Sequence, residues 1–206
     1  MDLPLHEYLG RIDIYLLDQV LRQRITSTMR VLDAGCGGGR NLALLTRMGC
    51  QVYGCDRDPI AVDRASRYIR GIDPTIPEDR FWVAPLDDVG WPDQSFDVVV
   101  CNAVLHFADD AGHWHRMVDE LWRLLPAGGL WFARLATSIG IEDRIQPRGN
   151  GWFDLPDGSS RFLTDEEQLL AKTASVGGRL ADPLKTTNVQ GLRCMTTWVA
   201  VKTEAE

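Results

Sequence analysis

A chain of 206 residues with 45% hydrophobic and 25% charged residues has the size and composition of one globular domain. The formal net charge of −7 argues against an extended nucleic-acid interface, because phosphate contacts need a basic surface. The five cysteines form no C-x-x-C pair, so neither a disulfide framework nor a zinc site is expected, and free thiols favour a cytoplasmic location. No signal peptide or membrane span is predicted; oligomeric state is left open.

The first predicted element is a helix over residues 5–25, where apolar residues recur with a period close to 3.6. A short apolar strand, a glycine turn and a second helix are predicted next, over residues 30–48, and the turn reads DAGCGGGRN. Glycines allow the backbone to approach a ligand, and the helix N-terminus that follows offers free N–H groups. A dinucleotide site would prefer a third glycine where Arg40 stands, so a nicotinamide cofactor fits this turn poorly.

Residues 51–56 are predicted to form a buried strand that ends in an acid, Asp56. A carboxylate in this position has two acceptor oxygens and can bind both hydroxyls of a ribose. The alternative is that Asp56 caps the helix that follows, although Asp58 is the more natural cap because Pro59 comes next. Dinucleotide enzymes share the ribose contact, so Asp56 does not distinguish the two cofactor classes.

A helix over 60–69, a strand over 80–84 and a central strand over 96–101 are predicted next. Asp109 and Asp110 begin a further helix, in which His113 and His115 are interpreted as surface residues. After a turn at 124–129 comes a fifth strand. A helix beginning at Thr164 and a closing hairpin from 179–189 and 194–202, joined at residues 190–191, complete the prediction.

Three sequence motifs, taken together, resemble those of one protein family. The patterns D-x-G-x-G-x-G, P-D-Q-S-F-D and L-L-P-A-G-G-L resemble those of class I S-adenosylmethionine-dependent methyltransferases, and the ending GRN looks like the tellurite-resistance and small-molecule branch. The resemblance implies an α/β fold: a Rossmann-like, seven-stranded, mostly parallel sheet with an antiparallel last strand and helices on both faces. It implies a single domain over 1–206 that uses S-adenosylmethionine to methylate a small-molecule acceptor. Within that domain, residues 1–29 are expected to form a helical cap over the cofactor.

The resemblance also implies a set of site residues. Pro85 stands where the family has an adenine-binding acid, so that contact is expected to move to Asp87 or Asp88, of which we favour Asp87. In the turn that resembles N-x-x-x-H, Asn102 and His106 are expected to face the pocket, with the Cys101 backbone near the cofactor. His106 is a candidate general base or a polar wall residue. The expected cofactor-binding residues are Arg11, Tyr15, Asp33, Gly35, Cys36, Gly37, Asp56, Arg57, Leu86, Asp87 and Cys101.

Residues 137–163 interrupt the alternation of strands and helices with glycines, prolines and arginines. We interpret them as an irregular insertion that covers the substrate; the alternative is a solvated loop. Arg134, Arg144 and Arg148 could meet an anionic acceptor. Two other functions stay open: an NAD(P)-dependent oxidoreductase, and a non-catalytic, cofactor-binding member of the same fold.

Overall fold

The computed structural model describes residues 3–204, and its main sheet follows from apolar strands that alternate along the chain with helices. The parallel part of this sheet consists of β1 (Arg30–Ala34), β2 (Gln51–Asp56), β3 (Phe81–Val83), β4 (Val98–Asn102) and β5 (Leu130–Thr137). The later strands are β6 (Gln146–Gly149), β7 (Trp152–Asp154), β8 (Ser160–Phe162), β9 (Gly178–Leu180), β10 (Lys185–Val189) and β11 (Arg193–Lys202).

Helices flank these strands on both faces. They are α1 (Leu5–Leu9), α2 (Ile14–Leu21), α3 (Leu42–Arg47), α4 (Pro59–Ile72), α5 (Ala111–Arg123) and α6 (Glu166–Ser175), with single 3₁₀ turns at Glu78–Arg80 and Leu105–Phe107. As predicted, the Asp58 side chain accepts from Ile60 N–H at the start of α4, with Pro59 in its first turn.

The sheet order is β10-β11-β5-β4-β1-β2-β3. Strand β9 also pairs with β11, further along that strand than β10 does. Strands β1 to β5 are parallel, whereas β11 runs antiparallel to β5, β9 and β10. Gln190 and Gly191 both adopt positive φ in the turn between β10 and β11, at the predicted hairpin position. The predicted mixed sheet is confirmed. The predicted segment over 179–189 is divided into β9 and β10, which gives eight strands in place of the expected seven.

Alternating side chains on the central strands build a core on each face of the sheet. In β4, Val98 and Val100 join a cluster with residues of α2, α3 and α4, whereas Val99 and Cys101 join a second cluster with residues of α5 and α6. The two clusters enclose the sheet, so the carboxyl ends of its parallel strands are left as the place for a ligand.

Three local predictions were wrong. The single helix over 5–25 is two short helices, because Gly10 takes a left-handed φ of 64° and Asp13 starts α2 by accepting from Tyr15 N–H. Helix α6 begins one residue later than predicted, with a capping box between Asp165 and Gln168 in place of a Thr164 cap.

The third correction concerns residues 137–163, which are not an irregular loop. Strands β6, β7 and β8 form a separate antiparallel sheet, and a small buried cluster lies beneath it that includes Ile141, Leu155 and Leu163. The glycines that suggested irregularity serve tight turns: Gly149, Asn150 and Gly151 all have positive φ between β6 and β7.

Candidate functional site

Two adjoining cavities open where the carboxyl ends of β1, β2 and β4 meet. The first cavity has a volume of about 530 Å³ and the second about 690 Å³, and both are lined by Gly35, Asn102 and Ala103. The first cavity is otherwise lined by Asp56, Arg57, Pro85, Leu86, Asp87, Val104, Phe107, Asp109, His113, Arg116 and Met117. The second is otherwise lined by Arg11, Cys36, Gly37, Gly38, Arg40, Asn41, Arg64 and Tyr68.

The glycines of the bend after β1 serve different purposes. A Cβ on Gly35 would lie 2.4 Å from Val104 Cγ2, and a Cβ on Gly39 would lie 3.3 Å from the Ala65 backbone in α4. These two glycines therefore allow close packing within the protein. Gly37 has a left-handed φ of 52°, and a Cβ there would meet nothing within 4 Å. Gly37 therefore leaves bare backbone facing open space in the second cavity.

Asp56 ties the end of β2 to this bend. Its Oδ2 accepts from Gly37 N–H at 2.9 Å, and its Oδ1 accepts from Asp58 N–H at 3.0 Å. Each carboxylate oxygen has a second lone pair, so the group retains two acceptor sites toward the first cavity. The alternative role for Asp56 as the cap of α4 is taken by Asp58, as described above.

Two buried polar side chains near the bend make no hydrogen bond of standard geometry among residues 3–204, although the Asn41 side chain approaches Asp33. They are Asp33 at the end of β1 and Asn102 at the end of β4. Burial raises the pKa of Asp33 to about 7, against the opposing positive charge of Arg40. Unpaired buried polar groups are unfavourable, so this pair suits a ligand that brings its own donors and acceptors.

The structure places most of the predicted cofactor residues on the two cavities. Gly35, Asp56, Arg57, Leu86 and Asp87 line the first. Arg11, Gly35, Cys36 and Gly37 line the second. Asp33 lies beneath them and is 1% exposed. Asp88 is exposed and does not line the first cavity, which leaves Asp87 as the acid that does.

Tyr15 and Cys101 lie apart from the two cavities. The Tyr15 hydroxyl is 2.6 Å from Thr187 Oγ1, and the Arg134 guanidinium stacks over its ring. Cys101 is fully buried in the core on the α5 side of the sheet, where burial raises the pKa of its thiol. Neither side chain lines the two cavities. The contact expected of Cys101 is through its backbone, which leads directly into Asn102 on the wall of both cavities.

His113 lines the first cavity, so its interpretation as a surface residue was wrong. Its Nδ1 accepts from Asp109 N–H at 3.1 Å, and its Nε2 lies 3.8 Å from Asp87 Oδ2. Arg116, one turn further along α5, lies 3.6 Å from the same carboxylate oxygen. The position of His113 in the sequence was the signal that could have identified it. The first turn of α5 follows the loop after β4, so it lies over the carboxyl ends of the parallel strands.

A third cavity of about 260 Å³ adjoins the other two at Ala103, which lines all three. Its wall comes from the β4–α5 connection, β5, the 137–163 insertion and the β10–β11 hairpin. The lining residues besides Ala103 are His106, Arg134, Ala136, Leu155, Asp157, Ser159, Arg161, Val189, Arg193 and Met195.

His106 is held in this cavity in one tautomer. Ala136 N–H donates to its Nδ1 at 3.1 Å, so the neutral ring carries its proton on Nε2. Burial, assisted by the charge of Arg161, lowers the pKa of His106 to about 4. The ring is therefore neutral near pH 7, and the lone pair that a general base would need is already engaged.

The arginines at this site differ in part from those predicted. Arg134 lines the third cavity, whereas Arg148 pairs with Asp154 and Ser160 on the surface of the small sheet. Arg144 lies against Gly191 and is not among the lining residues. Arg161 and Arg193 also line the third cavity, although neither was among the arginines expected to meet an anionic acceptor.

Within residues 3–204, no helix is both long and apolar enough to cross a bilayer. The same part of the chain brings together no group of three or more His, Cys, Asp or Glu residues that could hold a metal ion.

Known proteins resemble this chain in sequence and in structure. A family model described as a methyltransferase domain matches residues 32–133. A sterol 24-C-methyltransferase of Aspergillus fumigatus is 28% identical over 82% of this chain and 44% of its own length. A ubiquinone biosynthesis O-methyltransferase of Xanthomonas oryzae pv. oryzae is 32% identical over 65% of this chain and 58% of its own length. This chain thus spans about half the length of these two relatives.

The fold agrees with a solved structure as well. The crystal structure of an S-adenosylmethionine-dependent methyltransferase from Methanosarcina mazei superposes with a TM-score of 0.74 at 20% identity, covering 90% of this chain and 98% of that one. The order of the sheet, its closing antiparallel hairpin and the glycine bend match the family expectation. The tellurite-resistance branch stays a prediction. Residues 32–133 thus match a methyltransferase domain, and the chain shares its fold with a solved S-adenosylmethionine-dependent methyltransferase.

Proposed function

We propose that this chain binds S-adenosylmethionine across the first and second cavities and transfers its methyl group to a small molecule in the third. The observation that carries the proposal is the position of Asp56, whose carboxylate accepts from Gly37 N–H at 2.9 Å. An acid suited to a ribose and a bare-backbone bend suited to an amino acid group therefore lie side by side. The unpaired Asp33 and Asn102 side chains beneath them fit a ligand with an ammonium and a carboxylate.

The proposed cofactor site keeps nine of the residues expected from the sequence and includes Asn102, which is also expected to face the pocket. It adds His113 and omits the side chains of Tyr15 and Cys101. Asp87 and His113 line the first cavity, on the side where the family resemblance expects the adenine. The nine retained residues are Arg11, Asp33, Gly35, Cys36, Gly37, Asp56, Arg57, Leu86 and Asp87.

When bound, the cofactor supplies an electrophilic methyl group whose leaving thioether is neutral and needs no proton. The main task of the chain is therefore to position the acceptor and exclude water. With its Nδ1 lone pair engaged and its proton on Nε2, His106 acts in this proposal as a hydrogen-bond donor to the acceptor, in place of the general base considered above.

We also propose that residues 137–163 cover the substrate, within a single domain over 1–206 that begins with a helical cap over 1–29. Leu155, Asp157, Ser159 and Arg161 of the insertion line the third cavity, which supports this role. Arg11, between α1 and α2, lines the second cavity and supports the role of the cap.

Two further parts of the proposal rest on composition. A net charge of −7 favours a small-molecule acceptor over a nucleic acid. The five cysteines are free and buried, which favours the reducing cytoplasm as the location.

Calorimetric titration with S-adenosylhomocysteine tests the cofactor site. The wild-type chain is expected to bind it, and Asp56→Ala to weaken binding by about 1–3 kcal/mol, because the ribose hydroxyls lose their acceptor. Asp79→Ala removes an exposed carboxylate far from the cavities and is the matched control, with unchanged affinity expected.

Unchanged affinity in Asp56→Ala would remove that residue from the site. Stabilisation by NAD without any by S-adenosylhomocysteine would favour the oxidoreductase alternative. Binding of S-adenosylhomocysteine without its release from S-adenosylmethionine, across a broad acceptor panel, would favour a non-catalytic member of the fold.

A further inference from the structure

The third cavity is basic in a chain that is acidic overall. Three arginines, Arg134, Arg161 and Arg193, line it against one carboxylate, Asp157, whereas the chain carries a net charge of −7. Local positive charge in a small concave site attracts anions more strongly than it would on a flat surface, because low-dielectric walls focus the field.

Existing contacts leave much of this arginine charge available. Arg161 stacks over Phe107 and donates to the neutral Ser160 carbonyl, and it makes no ion pair within residues 3–204. Arg193 lies 3.5 Å from Asp157, with 55% of its side chain exposed. Asp157 is meanwhile engaged by Ser159, which donates both its N–H and its hydroxyl to one carboxylate oxygen.

Arg134 at the base of the cavity is only partly satisfied. Its Nη1 lies 3.2 Å from Asp13 Oδ2, but its buried Nε has no hydrogen-bond partner in the described part of the chain. A guanidinium presents five donors in a planar fork, which matches the paired oxygens of a carboxylate or phosphate. With the Nε2–H of His106 beside it, the cavity offers donors and has few acceptors.

We propose that the methyl acceptor is a small molecule with a carboxylate or phosphate group, bound in the third cavity by Arg161 and Arg193 with Arg134 at the base. This inference rests on the proposed function, because it assigns the acceptor of that same site. The volume of about 260 Å³ limits the acceptor to a small molecule. The reacting nucleophile is on the part of the acceptor that faces Ala103, where the three cavities meet.

NMR titration with a matched set of probes tests this inference. The probes are phenylacetate and phenyl phosphate as anions and phenylacetamide as a neutral isostere, each added with and without saturating S-adenosylhomocysteine. We expect at least one anion to bind about tenfold more tightly than the amide, and Arg161→Gln and Arg193→Gln each to reduce that affinity by about tenfold, through loss of a charge-assisted contact. Arg148→Gln, which removes an exposed arginine outside the cavity, is the control and is expected to change nothing.

Equal binding of the anions and the amide would overturn the inference, as would an absence of saturable anion binding. Anion affinity that is unaffected by both cavity variants would also overturn it. If wild-type protein fails to bind S-adenosylhomocysteine, the proposed function fails, but the preference for anions is still measured on the protein without it. The comparison of phenylacetate with phenyl phosphate identifies which anionic group the cavity prefers.

Discussion

Among single residues, Asp33 influences the site without lining it. It is buried beneath the glycine bend, its pKa is raised to about 7 by that burial, and the Arg40 charge and the nearby Asn41 side chain only partly oppose this rise. An ionised carboxylate is costly in such surroundings unless a positive charge lies close by. The ammonium of the proposed cofactor would supply that charge, so Asp33 links ligand binding to protonation.

Asp33→Asn is expected to change how the stability of the ligand-free protein depends on pH. Because the pKa is above its unfolded value of 3.8, the wild-type carboxyl contributes stability that is fully present below about pH 4 and is lost as the pH rises through 7. The free energy of unfolding of the variant, relative to wild type, should therefore increase by up to about 4 kcal/mol across this window. Urea titrations at several pH values measure it, with Asp79→Asn as the exposed control.

A difference between Asp33→Asn and wild type that stays constant with pH would contradict the raised pKa. The same variant is expected to bind S-adenosylhomocysteine more weakly than wild type, because it lacks the negative charge that attracts the ammonium.

At the scale of elements, one indole forms hydrogen bonds between the small sheet of β6, β7 and β8 and the main domain, in addition to apolar packing through Phe162. Trp152 Nε1 donates to the Ala108 and Asp109 carbonyls, both at 3.0 Å, in the loop before α5. Asp109 lines the first cavity, and the small sheet contributes to the third. The indole therefore connects the proposed substrate cover to the proposed cofactor site.

Trp152→Phe is expected to loosen the small sheet while leaving the main fold intact. The phenyl ring keeps most of the packing but cannot donate, so amide hydrogen exchange over 146–162 should quicken by about fivefold to tenfold, as expected for the loss of about 1 kcal/mol of local stability. Trp82→Phe, which removes an indole bond to Val89 far from the insertion, is the control. Equal exchange in all three proteins would show that the indole bonds do not hold the sheet.

Short stretches of sequence were sufficient to predict those strands and turns whose formation depends only on neighbouring residues. Short apolar runs next to turn residues identified β1, β2, β4 and the final hairpin. A helical period alone could not show that Gly10 adopts a left-handed conformation and divides the first helix. In the same way, Thr164 and Asp165 are both good caps, and Asp165 is used because Thr164 is engaged in a bridge with Thr137. That choice depends on a tertiary contact.

At the scale of the whole molecule, the cavities also differ in how far local sequence could predict their lining residues. Gly37 and Asp56 could be found from the sequence because Asp56 ends a predicted strand and Gly37 lies in the turn after another. The third cavity brings together residues 103, 134, 161 and 193, which only the folded sheet and the insertion place side by side. Its two additional arginines, Arg161 and Arg193, therefore could not be assigned before the structure.

Thermal unfolding tests whether the chain behaves as one unit. We expect one cooperative transition, because the two main core clusters lie on opposite faces of a single sheet. S-adenosylhomocysteine at about one hundred times its Kd should stabilise the folded state by about 2.7 kcal/mol and raise Tm by about 5–10 °C. Two transitions, of which only one responds to the ligand, would contradict a single domain.

The pairing of Asn102 with Arg134 in the β4–β5 register has a consequence for how such a protein can change its acceptor. Asn102 faces the two larger cavities and Arg134 faces the smaller one, while Ala103, at a left-handed φ of 64°, donates its N–H to the Arg134 carbonyl between them. The separation between the cavities proposed for the methyl donor and for the acceptor is thus set by a hydrogen bond at the edge of the central sheet. Substitutions in residues 137–163 are therefore expected to reshape the outer wall of the third cavity without changing the spacing across Ala103, which the sheet sets.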